Sequence, residues 1–133
     1  MRHDAPNPMR RFEDRVAVVT GAGSGIGAAT ARRFAAEGAA VVCLDIDSDA
    51  VESLVAELAD QGAAASAVPG DVRSLDDQQA AVDAAMRTWG RLDVMVACAG
   101  IYAGGPLTDI PLERWAEVHA TNLTGVLLSC RVA

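Results

Sequence analysis

Short apolar runs alternate with longer amphipathic stretches along most of the chain. Four such runs, each four or five residues long, predict β-strands at residues 16–20, 40–44, 64–68 and 94–97. Continuous rather than alternating apolarity is typical of parallel strands, which are covered on both faces. The stretches that follow them carry apolar residues at three- and four-residue spacing, as helices do. This regular alternation predicts an α/β fold, a doubly wound parallel sheet.

Glycines and one capping pair mark the ends of the predicted helices. Gly38, Gly62 and Gly90 each follow a helical stretch and are expected to act as C-caps. Ser74, with Asp77 three residues later, resembles a capping box and predicts the start of the third helix.

The spacing of apolar residues also predicts which face of each helix is buried. In the second helix the stripe is Val51, Leu54, Val55 and Leu58; in the third it is Val82, Ala85, Met86 and Trp89. A last helix begins near Pro111, and its expected buried stripe is Leu112, Trp115, His119, Asn122 and Val126. An unpaired buried amide is destabilising by about 1–3 kcal/mol, so Asn122 is expected to have a hydrogen-bond partner.

Composition narrows the classes of function. The chain has 133 residues and a formal net charge of −7, which argues against nucleic acid or an anionic membrane as a partner. All eleven basic residues are arginine. Cys43, Cys98 and Cys130 are widely spaced and form neither a disulfide framework nor a metal-ligand cluster. No bound metal is therefore expected, and the expected location is cytoplasmic. Residues 1–12 lack the apolar segment of a signal peptide and are interpreted as a flexible tail, and residues 13–133 are interpreted as one domain.

The first predicted strand leads directly into the segment T-G-A-G-S-G-I-G, residues 20–27. Its four glycines allow a tight turn that a ligand can approach without obstruction by Cβ atoms. The free N–H groups at the start of the following helix suit a pyrophosphate. Glycines also occur in simple turns, but the strand–turn–helix context favours a dinucleotide site.

Asp45 ends the second predicted strand, 18 residues after Gly27. An acid at about this distance binds the adenosine ribose in dinucleotide-binding folds. Its charge would repel a 2′-phosphate, and no arginine lies in the glycine turn or immediately after Asp45. NAD is therefore favoured over NADP. The alternative interpretation is an acid that caps a helix or lies in a loop.

Four motifs in order resemble those of the short-chain dehydrogenases/reductases. They are T-G-x-x-x-G-x-G at residues 20–27, the D-V pair at 71–72, A-C-A-G at 97–100 in place of N-N-A-G, and W-x(6)-N-L-x-G at 115–125. The resemblance covers about residues 13–133 and implies a Rossmann fold.

The resemblance also implies roles for individual residues. The implied cofactor-binding residues are Gly21, Ser24, Gly25, Ile26, Gly27, Asp45, Ile46, Asp71, Val72, Ala99 and Gly100. Asp71 and Val72 would bind the adenine, and Asn122 would be the first member of a catalytic tetrad. The alternatives are a surface acid for Asp71 and a core asparagine for Asn122. Ala97 stands where the family has an asparagine that ties neighbouring strands together, so the sheet is expected to be less rigid there.

The catalytic serine and the Y-x-x-x-K pair of the resembled family have no match here. Tyr102 is followed four residues later by Pro106, and the chain contains no lysine. The sheet is therefore expected to be incomplete at its C-terminal side, with the strand at 94–97 as an exposed edge.

Three hypotheses remain open. The first is the N-terminal portion of an NAD-dependent oxidoreductase that acts on an alcohol or carbonyl, inactive by itself, with homo-oligomer formation through the helix that bears Asn122. The second is a non-catalytic NAD-binding module that needs a partner chain, and the third is a fragment without function.

Overall fold

A computed structural model describes residues 9–133 as alternating strands and helices. The first seven elements are β1 (Val16–Thr20), α1 (Gly25–Ala36), β2 (Ala40–Asp45), α2 (Ser48–Asp60), β3 (Ala65–Pro69), α3 (Leu75–Trp89) and β4 (Val94–Ala97). A 3-10 turn (Leu107–Asp109) precedes a long helix made of α4 (Leu112–His119), a π-helical turn (Ala120–Thr124) and α5 (Gly125–Val132).

The four strands form one parallel sheet in the order β3-β2-β1-β4. Val18 in β1 is aligned with Val42 in β2 on one side and with Met95 in β4 on the other. β1 and most of β2 are fully buried, as their continuous apolar sequences predict. The predicted α/β parallel fold is confirmed, and β4 lies at one edge of the described sheet.

Helices cover both faces of the sheet and define two apolar clusters. On one face, β1 and β2 pack against α1 and α2, with Val19, Val41, Val51 and Leu54 in the contact. On the other face, the same strands pack against α3 through Val16, Val18, Val42, Leu44, Ala81 and Ala85. The sheet is therefore doubly wound, and the ends of its strands are held firmly in place.

The predicted helix ends agree closely with the structure. Gly38, Gly62 and Gly90 all have positive φ angles, which an L-residue adopts only with strain. Ser74 caps α3, and its Oγ accepts the N–H of Asp77 at 3.2 Å. The capping box is not reciprocal, however, because the Asp77 carboxylate accepts the N–H of Asp71 instead.

Residues just before β1 contact helix α1. Phe12 packs edge-on against Phe34 with ring centroids 4.6 Å apart, and Arg11 donates to the buried carboxylate of Glu37. Arg33 bonds the same carboxylate. Arg11 and Phe12 fall in the segment interpreted from the sequence as a flexible tail, of which residues 1–8 lie outside the described residues.

The predicted buried stripe of the last helix is wrong. Leu112 is 79% exposed and Trp115 52% exposed, and Asn122 is exposed as well. The buried positions are Thr121, Gly125 and Ser129. Small residues allow α5 to approach α3 closely, so the packed face carries no large apolar side chain, and α4 has no buried residue at all. In the third helix, similarly, Met86 is 48% exposed and alanines supply most of the packed face.

Within residues 9–133, no helix combines the length and apolarity needed to cross a membrane.

Candidate functional site

A cleft of about 680 Å³ opens at the carboxyl ends of the parallel strands. It lies beside the boundary between β1 and β4, where the chain changes direction across the sheet, and ligands bind at such switch points in open α/β sheets. Every residue predicted from the sequence to bind cofactor lines this cleft: Gly21, Ser24, Gly25, Ile26, Gly27, Asp45, Ile46, Asp71, Val72, Ala99 and Gly100.

The glycine turn between β1 and α1 requires glycine at two positions for steric reasons. A Cβ on Gly27 would lie 2.0 Å from the carbonyl oxygen of Gly21, so α1 could not begin so close to the turn. Gly21 itself has a φ of +66°, and a Cβ there would lie 2.7 Å from the backbone of Ala99. The turn is thus a cradle of bare backbone between β1 and the segment after β4, and it fits a pyrophosphate at the N-terminus of α1.

Asp45 is tied to the glycine turn by its side chain. One carboxylate oxygen accepts the N–H of Gly23 at 2.8 Å, and the other accepts the N–H of Asp47 at 2.9 Å. A Cβ on Gly23 would lie 2.8 Å from the Asp45 carboxyl carbon, so this close approach needs glycine. The two backbone bonds fix the carboxylate at the edge of the cleft and leave lone pairs that can accept the hydroxyls of a ribose.

Asp71, which follows the neighbouring strand β3 and also lines the cleft, forms a bidentate pair with Arg73. The guanidinium Nη2 lies 2.5 Å from one carboxylate oxygen, and the Arg73 N–H donates to the other at 2.9 Å. These bonds hold the pKa of Asp71 below its ordinary value, so the carboxylate stays ionised as a fixed acceptor. Arg73 also lines the cleft, although the motif alone did not indicate it.

The segment after β4 is attached to β1 by a bond that the sequence did not predict. The buried hydroxyl of Thr20 accepts the N–H of Ala99 at 3.2 Å. Ala97 was expected to leave this region less rigid because it cannot link the strands. Thr20 supplies a link from the other strand, which leaves the backbone of Ala99 and Gly100 well positioned along the cleft.

Asn122 does not line the cleft but holds a segment that does. Its side-chain oxygen accepts the N–H of Ile101 at 2.9 Å, and its side-chain nitrogen donates to the carbonyl of Ile101 at 2.8 Å. The amide therefore has the hydrogen-bond partner that was expected of it, but it lies on the helix surface rather than in the core, and its catalytic role stays a prediction. Ile101 lines the cleft, as does Thr121 beside Asn122.

A buried polar group behind the cleft was missed in the sequence. Gln78 on α3 donates to the carbonyl of Val72 at 2.6 Å and to that of Gly125 at 2.9 Å, and it accepts from the Ser129 hydroxyl at 2.6 Å. Its position could have been recognised, because Gln78 lies four residues before Val82 on the predicted buried stripe.

The assembled groups favour binding of a dinucleotide. The cleft offers bare backbone N–H groups for phosphates, the two fixed carboxylates of Asp45 and Asp71, and apolar side chains such as Ile26 and Ile46. Among residues 9–133, no three His, Cys, Asp or Glu side chains converge as metal ligands would.

Comparison with known proteins identifies the family. The family model described as short chain dehydrogenase matches residues 15–133. The chain is 37% identical over 121 residues to a D-threitol dehydrogenase of Mycolicibacterium smegmatis, with 91% of this chain and 46% of that protein covered. It is 46% identical over 118 residues to a cis-4-hydroxycyclohexanecarboxylate dehydrogenase of Sinomonas cyclohexanicum, with 88% and 47% covered.

Solved structures that superimpose on the chain belong to the same family. The fold superimposes with a TM-score of 0.88 and 38% identity on a short chain dehydrogenase/reductase from Burkholderia phymatum in complex with NAD, covering 91% of this chain and 43% of that one. A short-chain dehydrogenase/reductase from Brucella melitensis gives a TM-score of 0.86. The chain spans about half the length of these relatives. Its motifs, its sheet and its cleft together make it a member of the short-chain dehydrogenase family.

Proposed function

We propose that this chain is the dinucleotide-binding part of an oxidoreductase that uses NAD and transfers a hydride between the nicotinamide and an alcohol or carbonyl substrate. The observation that carries the choice of cofactor is the Asp45 carboxylate, which two backbone N–H groups hold at the edge of the cleft. A carboxylate at this place accepts ribose hydroxyls and repels a 2′-phosphate.

The charges around the cleft support NAD over NADP. Of the residues that line the cleft in the described part of the chain, Arg73 is the one arginine, and its guanidinium is engaged by Asp71. No basic side chain of this lining is therefore left to neutralise a 2′-phosphate next to Asp45. The Burkholderia phymatum protein that superimposes on the chain was solved with NAD, which is consistent with this choice.

The residues of the chain bind and orient, and the nicotinamide supplies or accepts the hydride. In the proposed complex, the pyrophosphate would be held by Gly21, Ser24, Gly25, Ile26 and Gly27. Asp45 and Ile46 would hold the adenosine ribose, and Asp71 and Val72 the adenine. Ala99 and Gly100 would hold the nicotinamide-side ribose. Asn122 fixes that segment through Ile101.

An alcohol or carbonyl is the proposed substrate class because relatives that match the chain are named as dehydrogenases of hydroxy compounds. The 133 residues include no lysine, so they hold no Y-x-x-x-K pair for proton transfer. We therefore expect these residues by themselves to bind NAD without turning over substrate.

Titration calorimetry of the purified protein with NAD and with NADP tests the choice of cofactor. NAD should bind at least tenfold more tightly, and Asp45→Asn should narrow that ratio by about tenfold because the repelling charge is gone. Asp49→Asn, which removes an exposed acid from the first turn of α2, is the matched control and should leave the ratio unchanged. Equal affinity of the unaltered protein for both nucleotides would reject the proposal. NAD binding without any oxidoreductase activity in the natural full-length protein would instead favour a non-catalytic module.

A further inference from the structure

Gln78 is a buried side chain whose amide nitrogen and oxygen both form hydrogen bonds that join two parts of the fold. It is 1% exposed, and its amide group makes three bonds of 2.6–2.9 Å. Its nitrogen donates to two backbone carbonyls, and its oxygen accepts from a hydroxyl. A buried amide with both donors and its acceptor engaged restrains the positions of the groups that it bonds.

The three partners belong to two different elements, one of which lines the cleft. The carbonyl of Val72 is on the segment after β3, and Val72 lines the cleft. Gly125 and Ser129 are on α5, one turn apart. α5 continues directly from the π-helical turn that carries Thr121 and Asn122. The helix that Gln78 bonds is therefore the same helix whose Asn122 bonds Ile101.

Close packing reinforces the same junction. A Cβ on Gly125 would lie 3.0 Å from a methyl group of Val72, so α5 rests almost directly on the wall of the cleft. Ser129 is 1% exposed, and its hydroxyl lies within hydrogen-bonding distance of both Gln78 and the carbonyl of Gly125. Any change in the position of α5 relative to Val72 would break at least one of these bonds.

We propose that Gln78 is a positioning residue that sets the spacing between the two ends of the cleft: Val72 at the adenine end, and, through α5 and Asn122, the Ile101 segment at the nicotinamide end. The inference rests on the proposed binding of NAD. It assigns Gln78 a role in binding a ligand that it does not touch. The spacing matters most for a ligand that spans both ends and least for one that occupies a single end.

The test compares Gln78→Met with Gln79→Met in the purified protein. Methionine keeps the length and volume of the side chain and removes its donors and acceptor. Gln79 is the matched control because it is the next residue on the same helix, is exposed, and bonds only to Asp83 among the side-chain contacts of the described residues. Affinities for NAD and for AMP are measured by calorimetry at a temperature where circular dichroism shows each variant fully folded.

Gln78→Met should raise the Kd for NAD about tenfold, as expected for the loss of hydrogen bonds to two carbonyls. The Kd for AMP should rise no more than about threefold, since AMP occupies only the adenine end. Gln79→Met should leave both constants unchanged. Equal fold-changes for NAD and AMP, or none for either, would overturn the proposal and reduce Gln78 to a purely structural residue.

Ser129→Ala provides a second variant in case Gln78→Met does not fold. It removes the bond between the Ser129 hydroxyl and the Gln78 oxygen and keeps the two bonds that Gln78 donates to carbonyls. Ser129→Ala should therefore raise the Kd for NAD by a smaller factor than Gln78→Met does. If Ser129→Ala weakens NAD and AMP equally, the proposal fails. If the unaltered protein binds no NAD, the proposed function fails instead, and the two failures are thereby distinguished.

Discussion

The α-carbon of Gly27 faces the carbonyl oxygen of Gly21 so closely that a Cβ on Gly27 would lie 2.0 Å from that oxygen. Both atoms belong to backbone, so neither can rotate away. The first turn of α1 therefore rests directly on the glycine turn, which brings the N–H groups of the helix to the floor of the cleft.

Gly27→Ala is expected to weaken NAD binding at least tenfold, because the turn must move to admit the methyl group. Its free energy of unfolding should fall by about 1–3 kcal/mol, as for other overpacked sites. Calorimetry and chemical denaturation measure the two effects. Gly62→Ala is the control, since Gly62 has a φ of +78° with open space around it and lies away from the cleft. That change should destabilise by about 1–2 kcal/mol and leave NAD affinity intact.

Asn122→Ala is expected to loosen the segment after β4. The alanine removes both bonds to Ile101, so the Ile101 amide should exchange with solvent faster, and NAD should bind several-fold more weakly. Asn122→Asp keeps the acceptor for the Ile101 N–H and loses the donor to its carbonyl, so it should protect that amide better than alanine does. Hydrogen exchange resolved by residue distinguishes the variants. Unchanged exchange at Ile101 in Asn122→Ala would show that Asn122 does not hold the segment after β4 in place.

The three cysteines should react with an alkylating agent in a fixed order. Cys130 is exposed and should react first, Cys98 is half-buried at the cleft and second, and Cys43 is fully buried. Burial raises the pKa of the Cys43 thiol to about 12, so almost no thiolate is present at neutral pH.

Saturating NAD should protect Cys98, which lines the cleft, and leave Cys130 unaffected as an internal control. Mass spectrometry of the labelled peptides measures all three sites in one sample. Protection of Cys130 together with Cys98 would point to a global effect instead of occupancy of the cleft.

Glu37 should account for part of the loss of stability in acid. The guanidinium groups of Arg11 and Arg33 lower the pKa of Glu37 from an ordinary 4.5 to about 2. A carboxylate whose pKa is depressed in the folded state stabilises the fold above its unfolded pKa and loses that contribution as the pH falls. The contribution of Glu37 is therefore complete above about pH 5 and disappears between about pH 5 and pH 2.

Glu37→Gln should be less stable than the unaltered protein at pH 7 and should lose less stability between pH 5 and pH 2. Denaturation curves at several pH values measure both effects. Glu57→Gln breaks the half-exposed pair with Arg32 and should have a much smaller effect, since exposed pairs contribute little. Parallel loss of stability in the unaltered protein and in Glu37→Gln would show that Glu37 does not contribute to the acid response.

The fold could be predicted from sequence because its signals are local. Each strand is a short apolar run, and each of the first three helices ends beside a glycine with a positive φ angle. The cleft residues could be predicted for a related reason: parallel strands place their carboxyl ends at one edge of the sheet, so residues that follow different strands meet there. Asp45 and Asp71 are far apart in sequence and line one cleft.

The face of the last helix could not be predicted in the same way. A search for apolar periodicity selects large side chains such as Leu112 and Trp115, but the contact with α3 uses Gly125 and Ser129, whose small size permits close approach. The links made by Thr20 and Gln78 are non-local hydrogen bonds, and their partners become neighbours only when the chain is folded.

The contact between Gly21 and Ala99 limits how this protein could be redesigned. A Cβ on Gly21 would lie 2.7 Å from the Ala99 backbone, so the glycine turn and the segment after β4 touch without any side chain between them. Neither loop can be reshaped while the other stays as it is. An engineer who wishes to change the preferred nucleotide should therefore leave this junction untouched and work at Ile46, which lines the cleft and is 69% exposed.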